Sequence, residues 1–225
     1  MTSPEPIRLP RVFAATDGRD DWSPPAGLDA GVLLRDTDLM ALVGRATTPG
    51  PPLAVDIDSV AGLGGDDAAV EFVVKRLGIR VVLTRRPQLA ARVAELGCLG
   101  LLHVLAFDST GLNRSLESHP RLPGVGTVVS PGLVLSHLRP AELASLPRPI
   151  LAYGLIDTAE SAETILADAD SVVVRPDVAA RLAMDWRAPE LTGQSADGLP
   201  VRARAPGAGN SRHFSENTSP KTVDT

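Results

Sequence analysis

The sequence predicts an α/β fold, a small (β/α)8 barrel of the TIM type followed by a disordered C-terminal tail. Residues 124–175 contain three strand-like runs that each end in a short turn, and amphipathic helical patterns lie between them. Hydrophobic residues make up 44% of the chain, mainly Val, Leu and Ala, whereas aromatic residues reach only 3%. This balance favours a parallel sheet of aliphatic strands packed under alanine-rich helices.

Eight segments qualify as strands, and helical patterns follow most of them, as right-handed parallel crossovers require. A flavodoxin-like open sheet is the alternative, but it needs only five or six strands, so three of these segments would have to be misread as strands. The eight segments are Arg11–Ala15, Gly31–Arg35, Leu53–Asp58, Arg80–Thr84, Gly100–Phe107, Gly126–Ser130, Pro149–Tyr153 and Ser171–Arg175.

Helix start and stop signals separate these strands. Asp36 is expected to cap a helix over residues 36–45, and the apolar spacing of residues 66–77 predicts a second one. Pro87 stands at the first position of a third helix, which Gly97 ends. The remaining helical patterns are Leu133–Ala144 and Thr158–Ala167.

One domain and one tail account for the chain. We expect residues 1–187 to form the barrel domain. Residues 188–225 are rich in Pro, Gly, Ser and Thr and lack a periodic apolar face, so we expect them to be disordered.

Composition excludes several classes of function. The single cysteine, Cys98, excludes an intrachain disulfide framework and a multi-cysteine zinc site. No apolar run approaches the roughly 20 residues of a membrane span, so a cytoplasmic protein without membrane contact is expected. The net charge of −5 argues against general affinity for nucleic acid, although a local basic patch stays open.

Two carboxylates and two arginines follow the third and fourth predicted strands. Asp56 and Asp58 alternate along their segment, which would direct both side chains to one face, where they could share a proton or hold a cation. A structural role in ion pairing or loop capping is equally compatible with this spacing. Thr84 and Arg85 form a plausible anion contact, because the adjacent Arg85 and Arg86 repel each other without an anion nearby.

The last three predicted strands end in residues suited to a phosphate site. Gly132, Gly154 and Arg175 follow the sixth, seventh and eighth strands. In phosphate-binding barrels the loops after strands seven and eight form the anion site. We therefore expect the Gly154 backbone to approach a phosphate and Arg175 to supply charge. His103, inside the fifth strand, is expected to be a core or surface residue rather than a catalyst.

Several short motifs together resemble the glycerol-3-phosphate responsive antiterminators. The motifs are residues 55–63 (VDIDSVAGL), Thr84-Arg85, residues 103–109 (HVLAFDS), residues 130–132 (SPG) and residues 150–158 (ILAYGLIDT). The resemblance implies a small barrel that senses glycerol 3-phosphate and acts on the leader mRNA of glycerol-utilisation genes. It implies family motif positions at Asp58, Gly62, Thr84, Arg85, Asp108, Pro131, Gly132 and Gly154.

The chain departs from the family pattern near the expected site. Tyr153-Gly154 stands where the family has a paired glycine, and Asp56 where a His is common. Leu102-His103 replaces Gln-Arg, and Arg175 lies in place of a Thr/Ser-rich strand end. Either Arg175 compensates by its charge, or phosphate binding is weakened or altered.

The expected function is therefore a non-enzymatic, metabolite-responsive antiterminator. Its effector would be glycerol 3-phosphate or a related small phosphate, with no metal and no cofactor, and its partners leader mRNA and, in a homo-oligomer, further copies of itself. Arginines are the candidate RNA contacts, namely Arg85, Arg86, Arg114 and Arg139. The alternatives are a phosphate-ligand enzyme using Asp56 and Asp58, and a barrel kept as an interaction module.

Overall fold

The computed structural model describes residues 7–20, 22–106, 111–112, 115 and 121–186, and within them eight parallel strands form a closed barrel in chain order. Strand β1 pairs with both β2 and β8, so the ring closes and the open-sheet alternative is excluded. The predicted barrel is confirmed. The strands are β1 Val12–Thr16, β2 Ala30–Leu34, β3 Leu53–Asp56, β4 Val81–Thr84, β5 Leu99–Leu105, β6 Val125–Ser130, β7 Ile150–Tyr153 and β8 Ser171–Val174.

Helices cover the outside of the barrel and begin close to the predicted residues. Asp38, rather than Asp36, caps the first of them by accepting a hydrogen bond from the Ala41 backbone N–H at 2.9 Å. A π-helical stretch, Phe72–Arg76, continues the second helix. The helices are α1 Leu39–Thr47, α2 Asp67–Glu71, α3 Pro87–Glu95, α4 Pro140–Ser145, α5 Ala159–Ile165 and α6 Pro176–Asp185.

The predicted helix Leu133–Ala144 is wrong as a continuous element. The chain instead forms a 3-10 helix, Gly132–His137, and then α4. Pro140 explains the break, because its ring disfavours the helical conformation at the preceding residue, and Arg139 is extended with ψ 148°. The proline then occupies the first turn of α4, where its missing N–H is harmless.

The barrel interior is filled by aliphatic and aromatic side chains at every second strand position. These inward residues form one cluster, and those on the opposite strand faces pack under the helices. These side chains pack the interior, and barrels of this type bind ligands at the carboxyl-terminal ends of the strands, where the strand loops lie. The inward cluster includes Phe13, Leu33, Ala54, Leu83, Leu101, Val128, Leu151 and Val173.

The predicted tail, residues 188–225, lies outside the described residues. Among the described helices, none has the length and apolar character to cross a membrane.

Candidate functional site

A cavity of about 540 Å³ lies at the carboxyl-terminal end of the barrel. Its size is within the range of small-molecule sites. Strands β2 to β7 and the residues after them supply its walls, whereas β1 and β8 supply none. We call it the mouth cavity; it is lined by Arg35, Asp36, Asp56, Ser59, Arg85, His103, Leu105, Ser130, Pro131, Tyr153, Gly154 and Leu155.

Strand periodicity places the polar lining residues. Side chains two positions apart on a strand point to the same face, so the residue two places after the last inward apolar residue enters the cavity. Sequence reasoning missed Arg35 and Ser130, although this spacing could have found them. The pairs are Leu33 with Arg35, Ala54 with Asp56, Leu83 with Arg85, Leu101 with His103, Val128 with Ser130 and Leu151 with Tyr153.

Four polar atoms on the cavity wall are buried without a hydrogen-bond partner. They are Arg35 Nε, Asp56 Oδ1, Ser130 Oγ and the Tyr153 hydroxyl. Buried polar groups in folded proteins nearly always have a partner, because losing water without compensation costs roughly 1–3 kcal/mol per group. All four atoms belong to residues that line the mouth cavity, which favours a site for a polar molecule.

Arg35 lies between a carboxylate and an aromatic ring. Its Nη2 is 2.7 Å from Asp36 Oδ2, and its guanidinium lies 5.2 Å from the centre of the Tyr153 ring. Asp36 and Leu155, both at the cavity rim, have φ values of 49° and 59°. Left-handed backbone is costly for such side chains, and strain of this kind clusters at ligand sites.

Asp56 and His103 are titratable groups whose pKa values the cavity shifts. Burial, reinforced by the charge of Asp58, raises the pKa of Asp56 to about 6. Burial, with the nearby Arg85 cation, lowers the pKa of His103 to about 4. At neutral pH the cavity therefore presents a predominantly ionised carboxylate and an uncharged imidazole, which lies edge-on to the Tyr153 ring at 6.1 Å.

Asp58 does not share a strand face with Asp56, so that prediction is wrong. Strand β3 ends at Asp56, and Asp58 lies in the 3-10 turn Ile57–Ser59. Its side chain is only 2% exposed and accepts hydrogen bonds from Thr84 Oγ1 at 3.0 Å and from the Arg85 backbone N–H at 2.6 Å. Asp58 and the buried Thr84 thus tie β3 to β4 behind the cavity, and Arg85 lines it.

The two predicted glycines join the loops after β6 and β7. The Gly132 backbone N–H donates to the Gly154 carbonyl at 3.0 Å. A Cβ on Gly132 would lie 2.9 Å from the Tyr153 backbone nitrogen, so only glycine fits this approach. Gly154 lines the cavity with φ 87°, a backbone conformation that glycine adopts without strain.

Arg175 does not line the mouth cavity. It precedes α6, its side chain is 63% exposed, and its guanidinium pairs with Asp177 at 3.1 Å and with Asp157 at 3.5 Å. Of the six predicted ligand residues, Arg85 and Gly154 line the cavity, and three support it from behind. Those three are Asp58, Thr84 and Gly132.

The candidate RNA-contacting arginines have protein partners where they are described. Arg86 donates to the Gly65 carbonyl at 2.6 Å and lies 3.4 Å from Asp58, and Arg139 pairs with Glu142. Arg114 and the family motif position Asp108 lie outside the described residues. In the described part of the chain, no three His, Cys, Asp or Glu side chains are grouped so that they could hold a metal ion.

Two solved structures share this fold. A glycerol uptake operon antiterminator-related protein from Thermotoga maritima has a TM-score of 0.61 and 24% sequence identity, over 76% of this chain and 99% of that chain. The glycerol uptake operon antiterminator regulatory protein from Listeria monocytogenes has a TM-score of 0.58 and 18% identity, over 74% of this chain and 95% of that chain. At these identities the similarity establishes the barrel fold.

The sequence itself carries a family match. No curated protein matches the chain. The sequence model of the family described as glycerol-3-phosphate responsive antiterminator matches residues 32–175, more than half of the chain. This span contains all the polar residues that line the mouth cavity. The chain therefore belongs to the glycerol-3-phosphate responsive antiterminators, a family of regulators rather than enzymes.

Proposed function

We propose that this antiterminator binds glycerol 3-phosphate, or a closely related small phosphate, in the mouth cavity. Occupancy of the cavity would control its action on the leader mRNA of glycerol-utilisation genes. The observation that carries this proposal is the set of four buried, unpartnered polar atoms around a cavity of metabolite size. The family match supplies the class of ligand.

Arg85 is the cation we assign to the phosphate. Among the described residues its side chain pairs with one carboxylate, that of Asp58, with Nε 3.6 Å from Oδ2, and its terminal nitrogens donate no hydrogen bond. A guanidinium can grip a phosphate through two parallel N–H bonds. Gly154 would let the phosphate approach the backbone closely, because glycine has no Cβ. Arg175 would remain paired with Asp157 and Asp177.

The glycerol end of the ligand would meet the unpartnered oxygens. Asp56 Oδ1 can accept a hydrogen bond, while the Ser130 and Tyr153 hydroxyls can donate or accept. Two ligand hydroxyl groups offer both donors and acceptors, so they would satisfy atoms that the protein leaves open. An enzyme that uses Asp56 and Asp58 together is less compatible with this geometry, because the Asp58 carboxylate accepts hydrogen bonds from Thr84 Oγ1 and the Arg85 backbone N–H.

Thermal stabilisation by glycerol 3-phosphate tests the ligand. At 100 times its dissociation constant a ligand adds about 2.7 kcal/mol of stability. We expect a rise in melting temperature of about 5–10 °C, since each kcal/mol shifts a domain of this size by about 2–4 °C. In calorimetry, Arg85→Leu should weaken binding by about 10- to 100-fold, the range of a lost charge-assisted hydrogen bond. Arg175→Leu, the matched control, should leave affinity unchanged. No stabilisation of the wild-type protein by glycerol 3-phosphate would refute the proposal.

Transcription in vitro tests the coupling to RNA. The template carries a glycerol-operon leader with its terminator, and read-through is measured with and without glycerol 3-phosphate. We expect the ligand to increase read-through only when the protein is present, and Arg85→Leu to abolish that increase. Read-through that is independent of the ligand would contradict the coupling.

A further inference from the structure

Asp56 is a partly buried carboxylate without a cationic partner of its own. Among the described residues, no Lys, Arg or His nitrogen lies within 4.0 Å of it, since each neighbouring arginine pairs elsewhere: Arg35 with Asp36 at 2.7 Å, and Arg85 with Asp58 at 3.6 Å. Its Oδ1 is buried and has no hydrogen-bond donor. A buried charge left this way is costly, so it needs a reason outside the fold.

Asp56 and Arg85, at the ends of two neighbouring strands, offer a ligand two chemically different contacts in one cavity. Arg85, directly after β4, offers an anion its terminal guanidinium nitrogens, which donate no hydrogen bond to any described residue. Asp56, at the end of β3, offers a carboxylate to hydrogen-bond donors, and the hydroxyl-bearing residues Ser130 and Tyr153 line the same cavity. A ligand with one anionic and one uncharged hydroxyl end matches both contacts. A ligand that is anionic at both ends would put a carboxylate against the charge of Asp56.

We propose that Asp56 determines ligand specificity by binding the hydroxyl end of a monophosphorylated polyol and rejecting ligands whose second end is anionic. This inference rests on the proposed function and adds the selection rule. Repulsion between like charges at a binding site is an effective way to discriminate between similar ligands. The discrimination is greatest where the protein binds the part that both ligands share, here the phosphate, equally well.

A pair of three-carbon ligands isolates this effect. 3-Phosphoglycerate differs from glycerol 3-phosphate only by a carboxylate in place of the terminal CH2OH group. We expect the wild-type protein at pH 7.5 to bind glycerol 3-phosphate at least 100-fold more tightly in calorimetry. Asp56→Asn preserves the shape and one oxygen acceptor but removes the charge, so it should reduce that preference at least tenfold. Asp157→Asn, which removes an exposed carboxylate outside the cavity, should not change it.

The wild-type protein provides a second measurement that needs no variant. Because the pKa of Asp56 is about 6, lowering the pH from 7.5 to 5 should protonate it and reduce the preference for glycerol 3-phosphate. The other ionisable groups facing the cavity are Arg35, Asp36, Arg85, His103 and Tyr153, with Asp58 behind Asp56. The pKa of His103 is lowered to about 4, so it stays largely neutral over this range. Both ligands carry a phosphate that titrates in this range, so the effect of its protonation cancels in the ratio of their dissociation constants.

Each outcome supports or overturns the inference. A reduced preference in Asp56→Asn and at pH 5 supports it. If wild-type protein binds glycerol 3-phosphate but the preference is the same in Asp56→Asn and at pH 5, the selection rule is overturned while the proposed function stands. If wild-type protein binds neither ligand, the proposed function and the selection rule are both overturned.

Discussion

Replacing Asp58 should destabilise the fold more than replacing any exposed carboxylate, although both kinds of residue pair with arginine. The Asp58 carboxylate accepts hydrogen bonds from Thr84 Oγ1 and the Arg85 backbone N–H, and it contacts the Nε atoms of Arg85 at 3.6 Å and Arg86 at 3.4 Å. These contacts join the turn after β3 to the end of β4. In Asp58→Ala the fully buried Thr84 hydroxyl would lose its acceptor.

The expected loss follows from these contacts. Each of the two hydrogen bonds to the Asp58 carboxylate contributes about 1.5–3 kcal/mol, because its acceptor is charged. The ion pairs add little, since the side chains of Arg85 and Arg86 are 63% and 50% exposed. We therefore expect Asp58→Ala to lower the free energy of unfolding by about 3–5 kcal/mol. That corresponds to a fall of roughly 6–20 °C in melting temperature for a domain of this size. Asp58→Asn retains one acceptor and should lose about half as much stability.

Urea unfolding followed by circular dichroism measures this loss. Asp157→Ala is the matched control, because Asp157 also contacts an arginine, Arg175 at 3.5 Å, but is 62% exposed. Exposed ion pairs contribute little, so the control midpoint should stay at the wild-type value. A loss below about 1 kcal/mol in Asp58→Ala, with a normal fold, would refute the view that Asp58 holds β3 and β4 together.

Three further predictions concern single positions. Gly132→Ala should cost about 1–3 kcal/mol in urea unfolding, because its Cβ would lie 2.9 Å from both the Tyr153 backbone nitrogen and Ile156 Cδ1; a stable variant would show that the two loops separate freely. Gly44→Ala should instead raise stability by about 0.5–1 kcal/mol, since Gly44 lies inside α1 with open space around it, and a loss of stability would contradict this. Asp56→Asn should stabilise the protein at pH 7.5 by up to about 3 kcal/mol. The pKa of Asp56 is about 6 in the folded state and 3.8 in the unfolded chain. The ionised carboxylate therefore costs the wild-type protein stability as the pH rises between these values, and the variant avoids this cost. The difference in unfolding free energy between the variant and the wild type isolates the effect of Asp56, because His103, whose lowered pKa makes stability rise with pH, is present in both proteins. An equal difference in unfolding free energy at pH 4 and pH 7.5 would contradict this prediction.

The barrel could be predicted because its strands and turns carry strong local signals. Aliphatic runs such as Ser171–Val174 are buried in the sheet, and predicted helix starts such as Pro87 and Thr158 lie within a residue of the observed ones. The errors are also local. Asp36 and Asp38 are both suitable caps, and only the geometry of the turn selects Asp38. Pro140 divided a helical pattern whose periodicity continued across it.

The mouth cavity was harder to predict, because strand ends decide which side chains enter it. A strand two residues longer would have put Asp58 beside Asp56, but the chain turns into a 3-10 helix after Asp56. Arg175 follows the inward Val173 with the same spacing that brings Arg85 into the cavity. Arg175 pairs instead with Asp157 and Asp177, outside the cavity. Asp157 lies in a different loop, and the spacing of residues along the sequence does not predict that contact.

The cavity combines features that reduce stability. Four buried polar atoms lack partners, two non-glycine residues have positive φ, and the partly buried Asp56 carboxylate has its pKa raised to about 6. Ligand sites commonly carry such costs, because groups held ready for a ligand are not satisfied by the protein itself. We therefore expect ligand binding and stability to be coupled, so that substitutions that neutralise the cavity stabilise the fold and weaken recognition.

A crystal grown or soaked with glycerol 3-phosphate tests the central claim most directly. We predict phosphate density within hydrogen-bond distance of the terminal nitrogens of Arg85, and the glycerol hydroxyls beside Asp56, Ser130 and Tyr153. Ligand density at Arg175, outside the mouth cavity, or a cavity that stays empty at saturating ligand, would contradict the account.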